Sequence, residues 1–180
     1  MITIYTEGKA DKKFIEDLCK HIKPNKGIRV KASEGISDLL RYSAQNIKQD
    51  AEKSSVAVIV DANNDITDRK KELNKLQKEL GVKFPYFLLP NNKDKGNLET
   101  LLLAVCKDPR PSECFTQYKK CIKDKKLPHS PDKKAEIYAY CQTIAGAEEA
   151  KETERNYTDK KIWNLDIPKL QPLKKFLTEL

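Results

Sequence analysis

The chain has 180 residues, enough for one domain with a substantial core, and carries 35 Lys+Arg against 27 Asp+Glu, a formal net charge of +8 with an isoelectric point of about 9.1. Two histidines exclude a histidine-rich metal centre, and no apolar run reaches the length of a membrane span. Five cysteines without a Cys-x-x-Cys pair fit buried thiols of a reducing compartment better than a disulfide framework. The basic surplus makes a polyanionic partner a candidate, yet the pairs Lys12-Lys13, Lys70-Lys71, Lys119-Lys120, Lys125-Lys126 and Lys160-Lys161 read as readily as solvated helix faces.

A strand is expected over Ile2-Thr3-Ile4-Tyr5-Thr6, which leaves no room for a signal peptide and predicts a cytoplasmic protein. Phe14, Ile15, Leu18, Cys19 and Ile22 recur at helical spacing and stop before Pro24, giving a first helix. Residues 28–32 read as a short strand and Ser33 to Gln49 as a second helix. Val56-Ala57-Val58-Ile59-Val60 is an unbroken apolar run, the pattern of a central parallel strand covered on both faces, and it ends in Asp61, Asn63 and Asp65. Ile66, Leu73, Leu76 and Leu80 predict a third helix, capped by Asp65 or Thr67 and closed by Gly81. Residues 84–89 read as a strand whose proline belongs at its start. After a polar loop, Asn97 is placed to cap a deeply packed helix from Leu98 to Cys106.

Strands alternating with helices imply right-handed crossovers and an α/β fold, a mainly parallel sheet of four strands or slightly more flanked by helices. Beyond Cys106 the strands stop. The expected division is an α/β core over residues 1–107 and a helical extension over 108–180 packed on it, one compact domain overall. Within the extension, Cys114, Phe115, Tyr118, Cys121 and Ile122 form one helical stripe, and Ala135, Tyr138, Cys141 and Ala145 another. Ala147 to Lys161 is highly charged and expected to be exposed. The apolar end, Trp163 to Leu180, is expected to fold back on the body.

Open parallel sheets place ligands at the carboxyl ends of their strands. Glu7, Asp61 with Asn63 and Asp65, and Glu99 are therefore expected on one rim, where oxygen ligands suit Mg2+ or Mn2+. In that reading Asp61, Asn63, Asp65 and Glu99 hold the ion, Glu7 moves a proton, and Lys9, Lys93 and Lys95 meet phosphate charge. Each residue also has a plain structural role open to it. Glu7-Gly8 is equally a turn into a helix, Asp65 sits at a helix cap, and Glu99 lies in a first turn where the macrodipole alone favours an acid. A zinc site from Cys114, Cys121, His129 and Cys141 matches no familiar ligand spacing.

Glu7-Gly8 after a first strand, followed by an Asp-x-Asp-like cluster closing a central strand, resembles the TOPRIM fold of topoisomerases, primases and OLD-family nucleases. The chain is similar above all to small bacterial TOPRIM-like proteins catalogued only as a domain of unknown function. The likeness runs through Thr6-Glu7-Gly8-Lys9-Ala10-Asp11, Val60-Asp61-Ala62-Asn63-Asn64-Asp65, Phe87-Leu88-Leu89-Pro90-Asn91-Asn92, Gly96-Asn97-Leu98-Glu99 and Trp163-Asn164-Leu165. The resemblance implies magnesium-dependent chemistry on phosphodiesters, with Glu7 as general acid or base and Asp61 as a metal ligand. Asn63 departs from the family pattern, which has a second aspartate there, and an amide binds magnesium more weakly than a carboxylate.

The expectation is therefore a TOPRIM-like nuclease or related phosphoryl-transfer enzyme acting on DNA or RNA, in a setting such as defence against foreign nucleic acid. The alternative is a catalytically degenerate module that binds nucleic acid or a partner protein through a retained rim, and a homodimer is compatible with either. An aspartyl-phosphate receiver or phosphatase fits poorly, because its serine or threonine and lysine have no place at the later strand ends.

Overall fold

The computed structural model describes residues 1–180, the side chain of Glu149 excepted. In chain order the elements are β1 (Ile2–Thr6), α1 (Lys9–Ile22), β2 (Ile28–Ala32), α2 (Ile36–Arg41), α3 (Ser43–Lys53), β3 (Ser55–Asp61), α4 (Ile66–Leu80), β4 (Tyr86–Leu89), α5 (Leu98–Val105), α6 (Arg110–Asp124), α7 (Lys133–Ala145), α8 (Ala147–Ala150) and α9 (Gln171–Glu179), the last preceded by a 3-10 turn at Pro168–Leu170. The four strands form one all-parallel sheet in the order β2-β1-β3-β4, an α/β architecture.

Two-residue alternation sorts the strand side chains onto two faces. Ile2, Ile4, Ala57, Ile59, Phe87 and Leu89 face α1, α5, α7 and α9, in a cluster that includes Phe14, Leu18, Leu102, Tyr140 and Leu173. Tyr5, Val56, Val58, Val60 and Leu88 face the opposite layer, built on Leu39 and Ile47 of α2 and α3 and on Leu73 and Leu76 of α4. With both faces covered, β3 can be apolar from Val56 to Val60, and Val58, Ile59 and Val60 are fully buried.

The apolar end of the chain does fold back. Trp163, Leu165, Leu170, Leu173 and Leu177 join the same cluster as β1 and α1. Asn164 N–H donates to the Val105 carbonyl at 2.8 Å, which ties this segment to the end of α5.

Three expectations need correction. The second helix is two helices meeting at Tyr42, beside a hydroxyl network in which Ser43 Oγ donates to Asp38 Oδ2 at 3.1 Å and lies 3.0 Å from Ser33 Oγ. The charged stretch 147–161 is not uniformly exposed: Ala150, Arg155 and Tyr157 are buried. Tyr157 packs edge-on against Phe14 at 5.2 Å and against Trp163 at 5.2 Å, and its N–H donates to the buried Asp17 carboxylate at 3.1 Å. A single aromatic among charges carries no periodic signal, so its anchoring role was illegible. Of the cysteines only Cys141 is buried; Cys19 and Cys106 are half-buried, and Cys114 and Cys121 are exposed on α6.

Candidate metal-binding cleft at the strand ends

β1 and β3 are neighbours in parallel register, with Thr6 opposite Ile59, so Glu7 and Asp61 leave the sheet at the same rim. Asp61 continues the alternation of Ala57 and Ile59, which gives it the face covered by α1 and α5. Those two helices begin at this rim and bring Asp11 and Glu99 to it. The first N–H of α5, on Leu98, donates to Asp61 Oδ1 at 2.9 Å. From the other side, Arg69 Nε donates to the Asp61 carbonyl at 3.0 Å while its Nη1 binds Glu72 at 2.8 Å.

The loops around the rim are built for close approach. Gly35, with φ of 99°, lets the chain turn into α2 while its N–H donates to the Glu7 carbonyl at 2.8 Å. Gly96, with φ of 146°, exchanges backbone hydrogen bonds with Asn63 at 2.6 and 2.8 Å, and a Cβ there would stand 2.9 Å from Thr100 Oγ1. This pairing clamps the start of α5 beside the end of β3. Asn97 then caps α5 through a reciprocal box with Thr100.

The result is an open cleft of about 450 Å³ lined, among the described residues, by the acids Glu7, Asp11, Glu34, Asp61, Glu99 and Glu152 and by two cations, Lys9 and Lys134. Lys134 is engaged with Glu152 at 2.7 Å. In a chain of net charge +8 this is a local inversion of sign. Burial pushes Asp61 up to about 8, reinforced by the charges of Asp11, Glu7 and Glu99 and opposed by the Leu98 N–H. Asp11, only 7% exposed, is pushed up to about 7 by burial and then by Glu7 and Glu99. Glu7 is raised by burial, with the Arg69 guanidinium and the amides of Asp61 and Ile36 pulling the other way. Glu7 Oε2 and Asp11 Oδ1 are buried without a hydrogen-bond partner. Orphaned anionic oxygens of this kind are costly unless a cation or proton meets them.

The structure brings Glu7, Asp61, Glu99 and Lys9 to the lining of this cleft; Asn63, Asp65, Lys93 and Lys95 are not part of that lining, although Asn63 shares an adjoining cleft with Glu99. Asn63 adopts a left-handed turn, φ 52°, so the strand alternation ends at Asp61 and the amide faces a neighbouring cleft of about 310 Å³ with Gly96, Asn97 and Lys133. Asp65 is exposed and caps α4, accepting from the N–H groups of Thr67 at 2.7 Å and Asp68 at 3.3 Å, which hold it below the usual carboxylate range. Lys93 and Lys95 are exposed on the loop before α5 and line neither cleft. Sequence reasoning missed Asp11, although an acid four residues after Glu7 and one turn into the helix was the available signal. Lys134 and Glu152 come from the helical extension, and nothing in their local sequence points to this rim.

An all-oxygen donor set with orphaned carboxylate atoms fits a hard cation such as Mg2+, which needs only one or two protein carboxylates beside water and phosphate. Among the described residues no group of three His, Cys, Asp or Glu side chains is already set to hold an ion, so any such site completes its shell with other oxygens. The cysteines of α6 and α7 are not gathered either. Among the described residues no helix is long and apolar enough to cross a membrane.

A family model described as Protein of unknown function (DUF3226) matches residues 2–180. No curated protein and no solved structure matches the chain. With the match spanning nearly every residue, including all those that build the cleft, the chain belongs to the DUF3226 family of proteins of unknown function.

Proposed function

We propose that the strand-end cleft binds Mg2+ or Mn2+ and that the protein is a TOPRIM-like nuclease, or a related phosphoryl-transfer enzyme, acting on nucleic acid. The observation that carries this reading is the convergence of Glu7 after β1, Asp11 of α1, Asp61 at the end of β3 and Glu99 of α5 on one cleft, with two of their oxygens buried and unpartnered. Mutually repelling carboxylates kept at one rim serve a cation better than they serve the fold. Asp61 and Glu99 are the residues that would hold the ion; when bound, it supplies charge to the phosphate and leaving oxygens. Glu7, its carboxyl raised above the ordinary glutamate range by burial, is the group that would hold or release a proton there. Lys9 stands at the mouth, where it can meet a phosphate.

The test is a cleavage assay on single- and double-stranded DNA and RNA with Mg2+, Mn2+ or EDTA. Metal-dependent turnover that falls about 100-fold or more in Glu7→Gln and in Asp61→Asn is expected; turnover indifferent to both substitutions refutes the reading. The placement of Asn63 outside the cleft favours a second reading, a binding module without turnover. That module would bind nucleic acid in a salt-sensitive way and show no cleavage under any metal.

A further inference from the structure

Residues 110–134, which make up α6 and the loop into α7, hold eight basic against three acidic side chains, a net +5 of the chain's +8. Lys119, Lys120, Lys123, Lys125 and Lys126 are concentrated in the second half of this segment, and among the described residues none of the five forms an ion pair within 4.0 Å. Every residue from Lys123 to Ser130 is exposed.

The direction of the helices decides where this charge lies. A groove of about 600 Å³ is lined by Arg110, Cys114, Phe115 and Tyr118 of α6 and by Ala139, Thr143 and Ile144 of α7, so the start of α6 packs against the end of α7. The pair is antiparallel, and the lysine-rich end of α6 lies at the start of α7. That start is moored to the cleft: Lys133 Nζ donates to Thr100 Oγ1 at 2.9 Å, and Lys134 lines the same cleft as Asp61 and Glu99. One aromatic ring stands out of this surface beside the lysines, Tyr118 at 56% exposure, supported edge-on by Phe115 at 5.9 Å.

We infer that the α6–α7 hairpin is a binding track for single-stranded nucleic acid that leads its backbone into the acidic cleft. The inference deepens the proposed function and rests on it for the cleft's role. Unpaired lysines supply a sequence-independent attraction for phosphates. The exposed Tyr118 beside them offers a stacking surface that unpaired bases can use and a closed duplex cannot. The carboxylates of the cleft repel phosphate until a cation is present, so a track of opposite sign beside them explains how a polyanion is held there at all.

The experiment measures fluorescence anisotropy of a labelled twelve-nucleotide single strand and of the matching duplex, in EDTA so that nothing is cleaved. Wild type is expected to prefer the single strand. Lys119→Gln/Lys120→Gln/Lys123→Gln is expected to weaken binding about 10-fold or more and to lower the salt slope by about 2. Tyr118→Ala is expected to weaken the single strand about 5-fold and leave the duplex unchanged. Lys125→Gln/Lys126→Gln, both exposed, is the substitute should the triple variant melt below wild type. Absence of binding by wild type, undiminished binding by the lysine variants, equal affinity for the duplex with no effect of Tyr118→Ala, or equal affinity for polyglutamate overturns the inference. Binding without metal-dependent turnover in wild type sinks the nuclease and leaves the track standing, whereas turnover with unaltered binding in the lysine variants does the reverse.

Discussion

Asp61 is a carboxylate that folding makes harder to ionise, and Asp11 beside it shares that condition. Their folded values, about 8 and about 7, lie above the ordinary aspartate value near 3.8. Between those limits the folded protein binds more protons than the unfolded chain, so the cluster's contribution is fully present below about pH 4 and is lost as pH rises toward 8. In EDTA the melting temperature is therefore expected to fall from pH 5 to pH 8.5, less so in Asp61→Asn, and Mg2+ at pH 8 should restore it. Scanning calorimetry across that range checks the sign; a melting temperature rising with pH in EDTA, unchanged by Asp61→Asn, contradicts it. Asp17 is the opposite case. It is buried between Lys13 at 2.7 Å, Lys20 at 2.8 Å and the Tyr157 N–H, and on balance these hold its carboxyl below the usual range against the cost of burial. Its contribution is present above about pH 4 and lost as pH falls further. Asp17→Ala strands a buried N–H and frees the tail, and chemical denaturation should show a loss of about 2–4 kcal/mol. The catalytic candidate Asp61 was legible because an unbroken valine run makes its end conspicuous. Asp17, one acid among the charges of a surface-looking helix, was not.

Among the elements, α5 has the most exacting position, because its first N–H groups and Glu99 both address the rim. Asn97→Ala removes its cap and should cost about 1 kcal/mol, with Mg2+ affinity measured by calorimetry falling as well, since Leu98 N–H then loses its fixed direction toward Asp61. A loss of stability with metal affinity untouched would show that the cap serves the helix alone. Gly35→Ala places a side chain at φ 99° and should cost about 1–3 kcal/mol, read by thermal melting. The helix boundaries were legible wherever a cap or a glycine punctuated them: Asp65 and Gly81 bracket α4, and Asn97 opens α5. The break at Tyr42 escaped notice because no glycine or proline marks it. The reach of Lys134 and Glu152 escaped for a different reason: the packing of α7 on α5 brings Lys134 to the rim, and Glu152, beyond α8, meets it there in an ion pair.

Across the whole molecule, charge is partitioned rather than balanced, with an acidic cleft set beside a lysine-rich hairpin in a chain of net +8. Composition announced the surplus and could not say where it lay. The apolar tail was legible as a docked segment, and the structure adds what it docks against. Tyr140 hydroxyl donates to the Ile162 carbonyl at 2.6 Å, and Trp163, 2% exposed, lies 5.5 Å from the Tyr140 ring and 5.2 Å from that of Tyr157. It is also the chain's one tryptophan. Its emission is thus an intrinsic beacon located where the α/β layers meet the final segment. A red shift that precedes the loss of far-ultraviolet ellipticity on heating would reveal the tail peeling away first, and coincident transitions would mean that both melt as one unit.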